Sequence, residues 1–119
     1  MSLDGLLLVP ADHTDYRRMI VDVTPRVKVF RIPPTENIIL GNHYHRKMLE
    51  SLYVIKGALI IKLEDVRTHE KKEYRVHPGD SLTVPVYIAH QILPNAGSIF
   101  LNLLTVNYDP EDVDEYIIR

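Results

Sequence analysis

The sequence predicts an all-β domain, a sandwich or barrel, on three observations. Its apolar residues fall in short runs that alternate with polar ones at a period of two. Clusters of Pro, Gly, Asn and Asp interrupt the chain roughly every ten positions. Hardly any stretch keeps a helical period. The 119 residues suffice for one domain with a real core but not for two.

The elements follow from these signals. Leu3 to Val9 is apolar and ends at Pro10, as an edge strand or an arm packed on the domain or a neighbour. Residues 12–16 form a polar loop, and Arg17 to Val23 a short strand closed by Pro25. Arg26 to Ile32 alternates, with Val27 and Val29 on one face and Lys28 and Phe30 on the other. Pro33-Pro34 stops it, since neither proline donates to a ladder. Ile38 to Leu40 leads into a histidine-bearing stretch. Leu52 to Ile55 and Ala58 to Leu63 are strands around Lys56-Gly57, which reads as a hairpin turn. Residues 64–73 carry mixed charges and read as a solvated turn. Tyr74 to Val76 is a strand, His77-Pro78-Gly79-Asp80 a turn, and Ser81 to Val86 and Tyr87 to Leu93 are further strands. Pro94 to Gly97 turns the chain into the most apolar strand, Ser98 to Val106. Asp109-Pro110-Glu111-Asp112 suits a single helical turn, with Pro and carboxylates at its start. The expected organisation is an N-terminal strand or arm over 1–25, a barrel over 26–107 and a tail over 108–119.

Composition narrows the function. A formal charge of −2 with both signs interspersed leaves no basic footprint for nucleic acid or acidic membranes. No apolar run approaches the roughly 20 residues needed to cross a bilayer. The N-terminus lacks the charged, apolar, small order of a secretion signal, so a cytoplasmic location is expected. There is no cysteine, so any metal must be held by His, Asp or Glu.

His43 and His45 stand two apart, so on an extended segment both imidazoles leave the same face. Glu50 heads the next apolar run. If it points inward with Leu52 and Val54, a carboxylate enters an apolar interior, which is costly unless something positive meets it. A divalent metal held by both imidazoles would meet it, and these three residues read as ligands of one site.

Gly41, Gly57 and Gly79 flank the segments bearing His43, His45, Glu50 and His90. His43-Tyr44-His45, four residues, Glu50, six residues and Gly57 resemble the first motif of the cupins, small jelly-roll barrels. Asn37 stands where that motif has its leading glycine. Gly79, five residues, Pro85-Val86 and then His90 resemble the second motif, with Tyr87 in place of its inner glycine and Asn95 one position late. The resemblance implies a cupin-type jelly-roll β-barrel, or double-stranded β-helix. It makes His43, His45, Glu50 and His90 the metal ligands. Three imidazoles and a carboxylate suit a divalent transition metal such as Zn, Fe, Mn, Ni or Cu.

Residues 41–47 and the tail, Asn107 to Pro110 with Asp114 to Ile117, are similar to the cupin parts of nucleotide-sugar biosynthesis enzymes. Some of those are metal-free ketoisomerases in which a histidine acts as acid or base and a Gln often stands at the position of Glu50. The resemblance therefore implies a metal-dependent isomerase or epimerase of a keto-sugar or nucleotide sugar in polysaccharide biosynthesis, with His43, His45 and His90 as catalytic candidates. Two other readings stand beside it: a non-haem metal dioxygenase, and a sugar- or small-ligand-binding cupin without turnover. The expected partners are a small molecule, a sugar nucleotide among the options, and a second copy in a homodimer. His13, His69 and His77 read as surface residues, Tyr44 and Tyr53 as packing residues. Tyr87 reads as packing or as a pocket-mouth donor, and Arg46 and Lys47 as a solvated pair or a phosphate contact.

Overall fold

The structure, a computed structural model, describes residues 13–24 and 26–119. The Leu3–Val9 arm and the side chain of His13 lie outside that range. Eleven strands follow in order: β1 (His13–Thr14), β2 (Met19–Thr24), β3 (Val27–Arg31), β4 (Leu40–Tyr44), β5 (Glu50–Lys56) and β6 (Leu59–Asp65), then β7 (Lys71–Val76), β8 (Ser81–Val84), β9 (Ile88–Pro94), β10 (Ile99–Leu104) and β11 (Asp114–Glu115). A 3-10 turn at Pro110–Asp112 precedes β11, capped by the Asp109 side chain accepting from the Glu111 N–H. This meets the expectation of one helical turn.

All pairings are antiparallel and form two sheets. One is six-stranded, in the order β1-β2-β3-β10-β5-β8, and the other five-stranded, β11-β4-β9-β6-β7. The period of two puts one face of each sheet inward. Leu52, Val54 and Phe100 from the first meet Leu40, Leu59, Ile61 and Ile92 from the second, with Val76 beside them. Phe100 sits opposite Phe30 in the ladder, and the rings stack with centroids 4.8 Å apart. Leu52, Val54, Leu59, Ile61 and Phe100 are fully buried, so each contributes about 1.5–3 kcal/mol from burial alone. Among the described residues no helix is long and apolar enough to cross a membrane.

Three expectations need correction. Residues 12–16 are not all loop, because His13–Thr14 pair with β2 as a short edge strand. Lys56-Gly57 is not a hairpin, because β5 and β6 belong to different sheets. It is a corner that carries the chain across the core. Gly57 has φ +83°, and a Cβ there would lie 2.9 Å from the Cα of buried Ser98. Ser98 Oγ in turn donates to the Ala58 carbonyl at 3.2 Å. The charged stretch 64–73 is also only partly a turn. β6 runs through Asp65 and β7 starts at Lys71, with Lys62 opposite Glu73 and Glu64 opposite Lys71. These charges sit on the last strand pair of the sheet, where cross-strand opposite charges stabilise the ladder and guard its edge.

The two departures from the cupin motifs are departures of residue type and not of backbone. Asn37 and Tyr87 stand where the motifs carry glycine, and both have left-handed backbones, with φ +64° and +61°. The Tyr87 ring packs 6.1 Å from Tyr44 and under the Arg67 guanidinium at 5.2 Å, so it is a packing residue.

Gly57→Ala is expected to lower stability by at least about 1 kcal/mol more than Gly97→Ala. Both positions have positive φ, but nothing lies within 4 Å of a Cβ at Gly97. Urea midpoints of the two variants check the difference.

Candidate metal centre

Whether His43 and His45 face inward depends on one inserted residue. Leu40 points into the core opposite Ile92, and strict alternation from it would turn both histidines outward. The ladder of β4 and β9 instead pairs Gly41 with Gln91 and His43 with His90, leaving Asn42 as an extra residue. Gly41 and Asn42 both have positive φ, at +85° and +60°. This β-bulge reverses the parity and sends His43 and His45 to the interior. Asn42 Oδ1 accepts from Gln91 Nε2 at 3.0 Å and from the Ile118 N–H at 3.3 Å, which fixes the bulge. A side chain at Gly41 would meet the His90 carbonyl at 2.6 Å.

The four predicted side chains converge. One donor atom from each of His43, His45, Glu50 and His90 lies within 4.8 Å of the others. His43 and His90 cross edge to face at 4.5 Å, and His43 and His45 at 5.0 Å. His45, Glu50 and His90 are buried and His43 is half-buried. Glu50 Oε1 lies 2.6 Å from His90 Nε2 and 3.2 Å from His45 Nε2. Yet neither Glu50 Oε1 nor His45 Nε2 has a hydrogen-bond partner of acceptable geometry. Three imidazoles and one carboxylate that converge this closely, with Glu50 Oε1 and His45 Nε2 lacking a well-aligned hydrogen bond, fit a divalent metal.

The surrounding groups orient this set. His45 Nδ1 is 2.6 Å from the Asp112 carbonyl. A carbonyl only accepts, so Nδ1 carries a proton, and the ring in its neutral form turns its Nε2 lone pair to the centre. His90 Nδ1 makes a longer contact, 3.4 Å, to the Ile88 carbonyl. Asn102 Nδ2 donates to Glu50 Oε2 at 2.8 Å. The buried Asp112 carboxylate accepts three successive backbone N–H groups, from Arg46 at 2.8 Å and from Lys47 and Met48 at 3.2 Å each. Arg46 is held by the tail, with Nε 2.8 Å from Asp114 Oδ2, so it is neither free nor in the cavity wall.

Asn102 and Asp112 were missed in the sequence. Asn102 had a readable signal, as a polar residue at inward parity between Phe100 and Leu104. Asp112 had none, because its role depends on where the tail docks. His69 and His77 are exposed, and neither joins the centre.

Electrostatics separate the histidines. Burial, then the charge of His90, pushes the pKa of His43 down to about 4. At His45 burial also opposes the charge, but the Glu50 carboxylate and the Asp112 carbonyl outweigh it and raise the pKa. Burial would raise Glu50, but the charges of His90 and His45 hold it well below the usual carboxylate range.

The cavity around the centre measures about 260 Å³. Its walls come from both sheets and include Arg18, Lys28, Phe30 and Tyr108 besides the four converging residues.

Fold and site together define a cupin: a small barrel of two antiparallel sheets with a three-histidine, one-carboxylate centre. A family model described as "Polysaccharide biosynthesis C-terminal domain" matches residues 14–116, and the chain belongs to that family. The capsular polysaccharide assembling protein CapF from Staphylococcus aureus is similar in structure, with TM-score 0.84 and 22% identity over 97% of this chain. The match spans only 33% of CapF. The 3,4-ketoisomerase QdtA from Thermoanaerobacterium thermosaccharolyticum, in complex with TDP, matches with TM-score 0.66 and 23% identity over 74% of this chain and 63% of its own. KdgF from a Halomonas species matches with TM-score 0.63 and 21% identity, over 86% and 90%. No curated protein matches the sequence.

Two predictions follow from the geometry. In metal-free protein, the His45 contribution is complete below pH 6.5 and is lost as pH rises through its raised pKa. The depressed pKa of His43 acts oppositely: stability is lost as pH falls from 6.5 towards 4, by about 3 kcal/mol. Below pH 4.5 the loss of the Glu50 contribution adds to the fall. Urea midpoints across pH should therefore peak near pH 6.5 and drop on the acid side, and His43→Gln should flatten that drop. Asp112→Ala should cost about 3 kcal/mol or more, because three amides lose their acceptor. Asp112→Asn, with one acceptor oxygen left, should cost less in the same measurement.

Proposed function

We propose that this chain is a metal-dependent isomerase or epimerase acting on a keto-sugar or nucleotide sugar in polysaccharide biosynthesis. The observation that carries it is the convergence of buried His45 Nε2, Glu50 Oε1 and His90 Nε2 beside His43 in a sugar-sized cavity. Membership of a polysaccharide biosynthesis family and likeness to a ketoisomerase support it.

His43, His45, Glu50 and His90 would hold a divalent ion (Zn, Fe, Mn, Ni or Cu). When bound, such an ion supplies Lewis acidity to a sugar carbonyl and the hydroxyl beside it. Neutral imidazoles are needed for this, and the depressed pKa of His43 keeps that ring neutral through the physiological range. His45 must release the proton that Glu50 helps it hold. Asp112 and Asn102 fix the orientation of His45 and Glu50, so little reorganisation remains when ligand arrives. His43, the least buried of the four, is the imidazole that a bound sugar reaches first. It would accept the proton from the carbon next to the carbonyl with its lone pair free, leaving the ion to His45, Glu50 and His90, and would return it to the neighbouring carbon for isomerisation, whereas epimerisation needs a second donor on the opposite face. Apolar walls at Phe30, Phe100 and Ile92 keep water from the enediolate.

The purified protein should carry about one divalent ion per chain, and the His43→Ala/His45→Ala double variant none. Incubation of metal-loaded protein with a 4-keto sugar nucleotide in deuterium oxide should place deuterium beside the carbonyl, as read by mass spectrometry. No exchange with any of the five metals would overturn the reading. Oxygen uptake by the iron-loaded protein would point to a dioxygenase instead. Ligand binding without turnover would point to a sensor.

A further inference from the structure

The cavity wall contains two cations, and they differ in how they are answered. Lys28 Nζ lies 3.7 Å from Asp22 Oδ1 and 3.9 Å above the Tyr108 ring. Arg18 has no such partner: among the described residues no carboxylate is within ion-pair distance of its guanidinium. Its Nε is buried without a hydrogen bond. The nearby carboxylate, Asp15, is spent elsewhere. Its Oδ1 accepts the backbone N–H of Arg17 at 2.8 Å and of Arg18 at 3.1 Å, and its Oδ2 meets the Arg17 guanidinium at 3.4 Å. Arg17 Nε also lacks a hydrogen bond, but Arg17 has this ion pair and does not line the cavity. What Arg18 does touch is the Phe30 ring, whose centroid is 5.8 Å from the guanidinium carbon.

A half-buried guanidinium whose buried Nε lacks a hydrogen bond is costly, and burial presses its pKa down. Its planar fork matches two oxygens of one anion, and stacking on an aromatic face holds the fork in place without using its donors. The Asp15 turn thus leaves Arg18, without an ion pair among the described residues, in the wall of the cavity that also holds His43 and His90.

We propose that Arg18 anchors an anionic group of the ligand, a phosphate or a carboxylate, so that the pocket selects an acidic sugar derivative over a neutral sugar. This deepens the proposed function and rests on the cavity being the sugar site. The centre handles the carbonyl end of the ligand, and Arg18 sets which end enters.

Isothermal titration of the wild type with thymidine diphosphate, inorganic pyrophosphate, glucuronate and glucose tests it, alongside Arg18→Gln and Arg18→Lys. Arg18→Gln should weaken the anionic probe by about 10–100-fold, and Arg18→Lys should recover part of that. Bound metal and glucose affinity should stay unchanged. Loss confined to thymidine diphosphate and pyrophosphate identifies phosphate as the anchored group; loss confined to glucuronate identifies carboxylate. If Arg18→Gln does not fold, the wild type alone decides, since anion binding must weaken with rising salt while glucose binding does not. Anions that bind the wild type no more tightly than glucose, or as tightly to Arg18→Gln, overturn the proposal. Deuterium exchange that persists in that event leaves the isomerase reading standing. Arg18-dependent anion binding without exchange removes the isomerase reading alone.

Discussion

An ionised carboxylate inside a protein must be answered by charge or by hydrogen bonds, and Glu50 is such a group, only 4% exposed. It is the first residue of β5, within the six-stranded sheet, and its answer comes mostly from the other sheet. His90 arrives on β9, His45 just past the end of β4, and only Asn102, on the neighbouring strand β10, is local. The facing of the two sheets is therefore an electrostatic requirement as well as a hydrophobic one. Removing one histidine would leave a buried charge half answered, which is costlier than never burying it.

The sheet architecture was legible in the sequence because a period of two and proline-glycine punctuation are local signals. Strand positions came out close: β3 within 26–32, β8 within 81–86 and β10 within 98–106. Which strands pair was not legible at the Gly57 corner. A two-residue turn between apolar runs looks the same whether the chain folds back in one sheet or crosses to another. The charged run 64–73 misled for a different reason. Charge marks a solvent-facing position, and an edge strand has as many of those as a loop.

The candidate site was legible as a list of four residues and illegible as a geometry. Spacing within the motifs brought out His43, His45, Glu50 and His90. The parity switch that turns the first two inward comes from a single bulged residue, Asn42, held by Gln91 and Ile118 from distant parts of the chain. Asn37 and Tyr87 show the same limit from the other side. Identity departs from the motif while the backbone conformation stays, because neighbouring contacts hold even a tyrosine in the left-handed region.

The contact between His45 and the Asp112 carbonyl spans 67 positions of the chain. A chain emerging from the ribosome cannot fix that imidazole until residue 112 has cleared the exit tunnel, well after both cupin motifs are out. The orientation of this imidazole thus belongs only to a molecule in which the segment around Asp112 has docked on the barrel.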